Sequence, residues 1–230
     1  MDQRMLTEQM DYQKFLGKVV KWVFFGVSTT AITSVIIILS GIINVVINYY
    51  FPILISSTIL EIVFVLILYK KLKGHEDQIS ISSAKRYFLI YSIINGIVFS
   101  FILSAVSFYI SALAFALTAA YFGLLYTITQ YTDSSFSHIG KICLSALPIL
   151  IIGYLILLFI NAPLLYYGII FLDLAIFTGI TLYDMKNIST MYQMSSPESL
   201  EGIAMICAVE LYLDFVNIFI DILMLIMDNN

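Results

Sequence analysis

Residues 200–227 read LEGIAMICAVELYLDFVNIFIDILMLIM, an apolar run long enough to cross a lipid bilayer as one helix. Beyond Glu201 at its start, the run contains three acidic residues, Glu210, Asp214 and Asp221, together with Asn217. At about 100° per residue, the four polar side chains project within an arc of about 60°. A stripe this narrow on an otherwise apolar helix indicates that one face of the helix turns inward, away from lipid.

The composition of the whole chain is that of a membrane protein. Of its 230 residues, 61% are hydrophobic and 11% are charged, whereas soluble domains average about 45–50% apolar and about 25% charged residues. The chain is also too short to hold several membrane spans and a separate catalytic domain. We therefore predict one transmembrane domain over residues 1–230, with residues 1–21 as a polar segment before the first span.

Uncharged runs, separated by residues that break helices, predict seven spans. No charge occurs in residues 22–60, 87–132 or 142–172, and each run is too long for a single span of about 20 residues. The first two predicted spans are residues 22–42 and 47–69. The third and fourth share residues 87–132 and are separated near Ser104 to Ser111. The fifth runs from Ile142 to the break at Asn161-Ala162-Pro163, the sixth ends near Asp184, and the seventh is residues 200–227.

The basic residues test this count independently. All 11 Lys and Arg residues fall on one side of the resulting alternation. Because cytoplasmic loops carry the excess of Lys and Arg, we predict a multi-pass protein of the cell membrane with a cytoplasmic N-terminus. With seven spans the C-terminus is then outside. Most of the basic residues thus reflect the orientation of the spans in the membrane. They do not imply a nucleic-acid partner.

Acidic residues recur inside the predicted spans. A charged side chain at the bilayer centre costs about 2.5–3.5 kcal/mol on insertion scales, so each such group suggests a functional site. Besides the stripe of the seventh helix, Glu61 lies in the second span, and Asp173 and Asp184 lie in the sixth. Because no Lys or Arg lies in the central part of any span, these groups must hold protons, bind cations or face water. Alternatively, Asp184 and Asp221 cap helix ends, and Asp173 is a protonated carboxyl bonded to a neighbouring helix.

Several segments resemble the Bax inhibitor family, the transmembrane Bax inhibitor motif proteins. AVELYLDFVNIF at 208–219 resembles the signature of the family's last helix. Other segments extend the resemblance over residues 15–227. GITLYD at 179–184 resembles the Tyr-Asp ending of the family's helix six, and FALTAAYF at 115–122 resembles the start of its helix four. Residues 132–140 are similar to its short inner loop, and Leu60-Glu61 is similar to its helix two.

This resemblance implies an all-α membrane protein of seven transmembrane helices, with helix seven at the centre. It also implies a calcium-permeable leak channel whose opening depends on pH through the aspartates of helices six and seven. In this chain those aspartates are Asp184 and Asp214. Counted from Ile203, Asp214 lies about 16 Å into the seventh span, whereas Asp184 is near the inner boundary of the sixth. Their pairing therefore requires helix six to continue past Asp184, or helix seven to begin deeper in the cytoplasm.

This chain departs from the family pattern at three places. In the inner loop, Ser135 stands where an Asp is common. Glu210 stands where a small or neutral residue is more usual, which adds a carboxylate to the pore region. The Arg that latches the aspartate pair in some bacterial members has no counterpart in register, and the nearest candidate latches are Lys70 and Lys71. We predict a cation path lined by five residues, Glu61, Glu210, Asp173, Asn217 and Asp221.

The chemistry of two neighbouring carboxylates fits a pH sensor. Two carboxylates close together in a low dielectric do not both ionise cheaply, so Asp184 and Asp214 would share one proton. Calcium takes about six to eight oxygen ligands in flexible geometry, so the same two groups with water would bind it weakly, as conduction requires. We thus predict a pH-sensitive calcium channel without a cofactor, whose partners are calcium, protons and the lipid bilayer.

Three other functions stay open. Intramembrane aspartyl proteases also use a Tyr-Asp and a second Asp, but residues 211–214 read LYLD rather than Gly-x-Gly-Asp. For a proton-coupled cation transporter, an inverted repeat or a pair of broken helices is expected, and neither is apparent. A regulatory protein that binds membrane proteases or other helices is not tested by the sequence. The motifs of nucleotide hydrolases, serine hydrolases, zinc proteases and thiol redox enzymes are absent, so we predict no enzyme.

Overall fold

The computed structural model describes residues 3–46, 81–157, 159–160, 162–196 and 198–227, and within these residues it contains helices and turns but no strand. The helices are α1 (Gln3–Leu39), α2 (Ile42–Val46), α3 (Ile81–Ser104), α4 (Phe108–Tyr131), α5 (Ser137–Leu157), α6 (Pro163–Gln193) and α7 (Leu200–Met227). The predicted all-α fold class is confirmed.

Six of the helices in the described part of the chain are long and apolar enough to cross a membrane. They are α1 from Met10, α3 from Ala84, and the whole of α4 to α7. These helices correspond to the first and to the third through seventh predicted spans. The second span, predicted at 47–69, lies outside the described residues, together with three predicted site residues, Glu61, Lys70 and Lys71.

The helix breaks occur where the sequence predicted them. Gly41 follows the end of α1 with a φ of 71°, a left-handed conformation that glycine adopts without steric cost. Residues 105–107 separate α3 from α4. Pro163 is the first residue of α6, where its missing N–H costs no hydrogen bond. The breaks within 87–132 and at Pro163 are therefore confirmed, and the division of 22–60 into two spans stays a prediction.

Two predicted boundaries were wrong. The first candidate span begins at Met10 rather than near residue 22, because α1 is continuous from Gln3. The sixth helix does not end near Asp184 but continues to Gln193. Met185 and Ile188 are buried on this extension, so an apolar face keeps the helix packed after the membrane-like composition ends. Asp184 is therefore an interior residue of α6.

The described residues form two compact units. The first combines the described part of Met1–Ser107 with Tyr192–Tyr212, and the second combines Phe108–Met191 with the described part of Leu213–Asn230. The first half of α7 thus belongs to one unit and its second half to the other. Whether residues 1–230 behave as one domain stays a prediction.

In the first unit, α1 packs along α3 through small residues. A Cβ added at Gly96 would lie only 2.8 Å from the backbone oxygen of Thr30, so the two helix backbones are in close contact there. The first half of α7 packs against the same helices through Tyr212. Its ring meets Phe88 in a T-shaped contact with 5.2 Å between centroids.

In the second unit, aliphatic side chains join α5 to α6, and aromatic side chains join α4 to α7. The aliphatic cluster is built on Leu150 of α5 and on Ile169, Ile176 and Ile180 of α6. Phe215 of α7 lies between two rings of α4, with centroids 5.6 Å from Phe115 and 5.2 Å from Phe122.

Burial differs strongly among the spans. The most apolar stretch of α7 is 72% buried, against 17% for α4 and 11% for α5. The exposed faces of α4 and α5 carry large apolar side chains such as Leu124 and Ile151, as helices in contact with lipid do. The most buried described span is therefore α7, and the central position of helix seven stays a prediction.

Candidate functional site

The four residues of the polar stripe of α7 are buried or half-buried. Asp214 and Asp221 are each 2% exposed, and Glu210 and Asn217 are half-buried. The Asn217 side-chain amide donates a hydrogen bond of 2.9 Å to the carbonyl of Leu213, so part of its polarity is satisfied within the helix. The two aspartates are thus inside the protein, as their helical spacing predicted, and the burial of Asp221 does not fit an exposed helix cap.

The predicted pH-sensing pair occupies the interiors of two helices. Asp184 is half-buried in α6, which continues beyond it to Gln193, and Asp214 is buried in α7. Both aspartates take part in polar or electrostatic interactions. One condition for their pairing, that helix six continues past Asp184, is therefore met. The pairing itself stays a prediction.

A second group of polar side chains is buried in the unit that contains α5 and α6. The Tyr154 hydroxyl of α5 donates a hydrogen bond of 2.5 Å to Oδ2 of Asp173, which is 9% exposed. Asp221 interacts electrostatically with both Tyr154 and Asp173. Sequence reasoning named the two aspartates and missed Tyr154, because one polar residue in an aliphatic helix carries no periodic signal.

Some polar atoms of this group have no hydrogen-bond partner. Within the ranges that the structure describes, these atoms are Oδ1 of Asp173 and Oδ2 of Asp221. Asp173 is bonded to a neighbouring helix, which agrees with one part of the alternative interpretation of that residue. The other part, a protonated Asp173, stays a prediction.

Lys186 follows Asp184 by two residues in the sequence and is hydrogen-bonded to the end of another helix. The Lys186 ammonium of α6 donates hydrogen bonds to the backbone oxygens of Thr129 at 3.0 Å and Thr132 at 2.6 Å, at the C-terminal end of α4. This position suits a cation, because the last carbonyls of a helix lack intrahelical partners and carry partial negative charge. Lys186 therefore caps α4, and the predicted latches Lys70 and Lys71 lie outside the described residues.

No dense metal centre occurs in the described ranges. Nowhere in them do three or more His, Cys, Asp or Glu side chains lie close enough together to hold a metal ion. Weak calcium binding by Asp184 and Asp214 involves only two carboxylates and stays a prediction.

The long apolar helices and the buried carboxylates of α6 and α7 define a multi-pass α-helical membrane protein with an acidic interior. Comparison with known families is more specific. A sequence model of the family described as Inhibitor of apoptosis-promoting Bax1 matches residues 12–230. This chain belongs to that family, the Bax inhibitor family.

Similar proteins come from several bacteria. An uncharacterized membrane protein of Streptococcus pyogenes serotype M1 is 28% identical over 217 residues, which cover 91% of this chain and 90% of the relative. An uncharacterized protein of Deinococcus radiodurans is 28% identical over 228 residues, which cover 97% and 95%. The inner membrane protein YbhL of Escherichia coli K12 is 23% identical over 214 residues, which cover 92% and 90%. The relatives that are named as membrane proteins agree with the candidate spans of this chain, and the orientation of its termini stays a prediction.

Proposed function

We propose that this protein is a pH-sensitive, calcium-permeable leak channel of the Bax inhibitor type, gated by the membrane-embedded pair Asp184 and Asp214. The burial of Asp214 carries the proposal. This carboxylate is 2% exposed in the middle of the most buried described span. A buried ionisable group in a membrane helix is costly, and it is retained where it holds a proton or meets a cation.

The proposed switch is the proton that the pair shares. In a low dielectric, two neighbouring carboxylates favour one shared proton, and a half-protonated pair forms a strong hydrogen bond. Such a bond would hold α6 to α7, and a change in protonation would alter their packing around the ion path. The extension of α6 to Gln193 supports this mechanism, because it makes Asp184 an interior helical residue rather than a frayed end.

The proposed cation path follows the acidic side chains. On α7 the path would include Glu210, Asn217 and Asp221. Asp173 would contribute from α6 and Glu61 from the second span. Calcium suits such a path because it accepts carboxylate, amide and water oxygens in flexible geometry. Two or three carboxylates with water would bind the ion weakly enough to release it.

Calcium influx into proteoliposomes across a pH series tests the proposal. Unaltered protein is compared with Asp184→Asn and Asp214→Asn, and Asp133→Asn serves as the matched control because Asp133 is exposed in the segment between α4 and α5. We expect the pH dependence of influx to be lost in the first two variants and kept in the control.

Three outcomes would contradict the channel. One is calcium influx whose pH dependence survives both substitutions. A second is an absence of influx together with cleavage of a helical peptide substrate that depends on Asp184 and Asp214. The second outcome would favour an intramembrane aspartyl protease, which uses an aspartate pair to activate water. Influx that requires an opposing proton gradient would instead favour a proton-coupled cation transporter.

A further inference from the structure

The group formed by Tyr154, Asp173 and Asp221 contains two carboxyl groups and no basic side chain. Both aspartates are at least nine-tenths buried, at 9% and 2% exposure. Neither forms an ion pair with a Lys, Arg or His in the described part of the chain. Among the described residues, the groups that interact electrostatically with the Tyr154 phenol are Asp173, Asp221 and Tyr166.

Two ionised carboxylates are not compatible with this environment. Each buried ion loses several kcal/mol of solvation, and the two negative charges also repel each other. The hydrogen bond from Tyr154 stabilises one carboxylate, that of Asp173. Asp221 has no such donor among the described residues, and its Oδ2 is without a hydrogen-bond partner there. Protonation of Asp221 removes the second charge.

The donor set fits a proton better than a metal ion. Calcium takes about six to eight oxygen ligands, and magnesium needs near-octahedral order. The group offers two carboxyl groups and one phenol, whose proton is already donated to Asp173. A single proton satisfies the charge requirement without any further ligand.

We propose that Tyr154, Asp173 and Asp221 form a proton-binding site in which Asp221 carries the proton and Asp173 is the carboxylate that accepts the Tyr154 hydrogen bond. The site is distinct from the pair Asp184 and Asp214, since Asp173 lies about 16 Å from Asp184 along the axis of α6. In the proposed channel, on which this consequence rests, release of the proton adds one negative charge to the cation path.

Infrared difference spectroscopy of the purified protein in lipid tests the site without measuring transport. A protonated buried carboxyl has a C=O stretching band that an ionised carboxylate lacks. The background is Asp184→Asn with Asp214→Asn, which removes the other candidate pair. We expect this protein to retain one such band at neutral pH, Asp221→Asn to abolish it, and Asp133→Asn to leave it unchanged.

Two further variants report on the neighbours of the proton. Tyr154→Phe removes the bond that stabilises the Asp173 carboxylate, so the band should persist to higher pH. Asp173→Asn removes the repelling charge, so the band should disappear at lower pH. A residue with a merely structural role would not move the titration in opposite directions. If the background protein does not fold, the difference spectrum between unaltered protein and Asp221→Asn gives the same band.

The proposal is overturned if no band depends on Asp221 at any pH. Failure of the channel has a separate signature. An Asp221-dependent band in a protein that conducts no calcium refutes the channel and leaves the proton site in place. Conversely, pH-dependent influx without the band refutes only the proton site.

Discussion

The hydroxyl oxygens of Tyr212 and Thr30 lie 2.6 Å apart, which joins α7 to α1 within the first unit. The Thr30 hydroxyl also forms a hydrogen bond of 3.0 Å to the backbone oxygen of Ser92 on α3, so it links three helices. Tyr212 is fully buried and precedes Asp214 by two positions in the chain. A hydrogen bond between α7 and α1 therefore fixes α7 two residues before Asp214, on which the proposed channel depends.

Tyr212→Phe should destabilise the protein by about 0.5–1.5 kcal/mol, because it leaves the aromatic packing intact and removes one buried hydrogen bond. Reversible unfolding in mixed micelles measures the change. Tyr126→Phe is the matched control, since Tyr126 is 44% exposed on α4. An equal loss of stability in both variants would show that the bond to Thr30 contributes nothing.

Gly96→Ala should destabilise the contact between α1 and α3. The new methyl group would lie 2.8 Å from the backbone oxygen of Thr30, which cannot rotate away as a side chain would. Overpacking of this kind costs about 1–3 kcal/mol. The control is Gly123→Ala on α4, where an added Cβ meets nothing within 4 Å. The same unfolding assay should show no loss for the control, and a stable Gly96→Ala protein would contradict the close contact.

Lys186→Met should loosen the C-terminal end of α4, because the Lys186 ammonium is hydrogen-bonded to two backbone oxygens there. The expected loss is about 1–2 kcal/mol, as for a cation at a partly buried helix end. Hydrogen exchange of the amides around Tyr131 measures it, with faster exchange expected. Lys141→Met, at an exposed position of α5, should leave this exchange unchanged. Protection that is identical in the two variants would argue against the cap.

Glu210→Gln should reduce calcium influx several-fold at every pH and leave its pH dependence in place. The substitution removes one negative charge from the half-buried stripe of α7 with little change in volume. It does not alter Asp184 or Asp214, which carry the proposed pH sensing. Influx into proteoliposomes is the measurement, and Glu198→Gln, at an exposed turn before α7, is the control. Unchanged influx in Glu210→Gln would remove this residue from the cation path.

The sequence by itself determined the helical class, the breaks between the described spans and the inward face of α7. Hydrocarbon offers no partner for backbone N–H and C=O groups, so a long uncharged run can only be helical. Gly41 and Pro163 then divide such runs, for the backbone reasons that apply to those two residue types anywhere. Periodicity alone placed Asp214 and Asp221 on a common face, and both are buried. The same reasoning ended helix six too early, because it finds where apolar composition stops and not where the backbone leaves the helix.

Only the tertiary structure decided which residues meet across helices. Tyr154 lies opposite Asp173, Thr30 opposite Tyr212, and Lys186 at the end of α4. Spacing within a helix specifies the face that a side chain occupies. Its partner depends on how far the neighbouring helix is rotated and shifted along its axis, and those two quantities follow from the packing of all side chains in the contact.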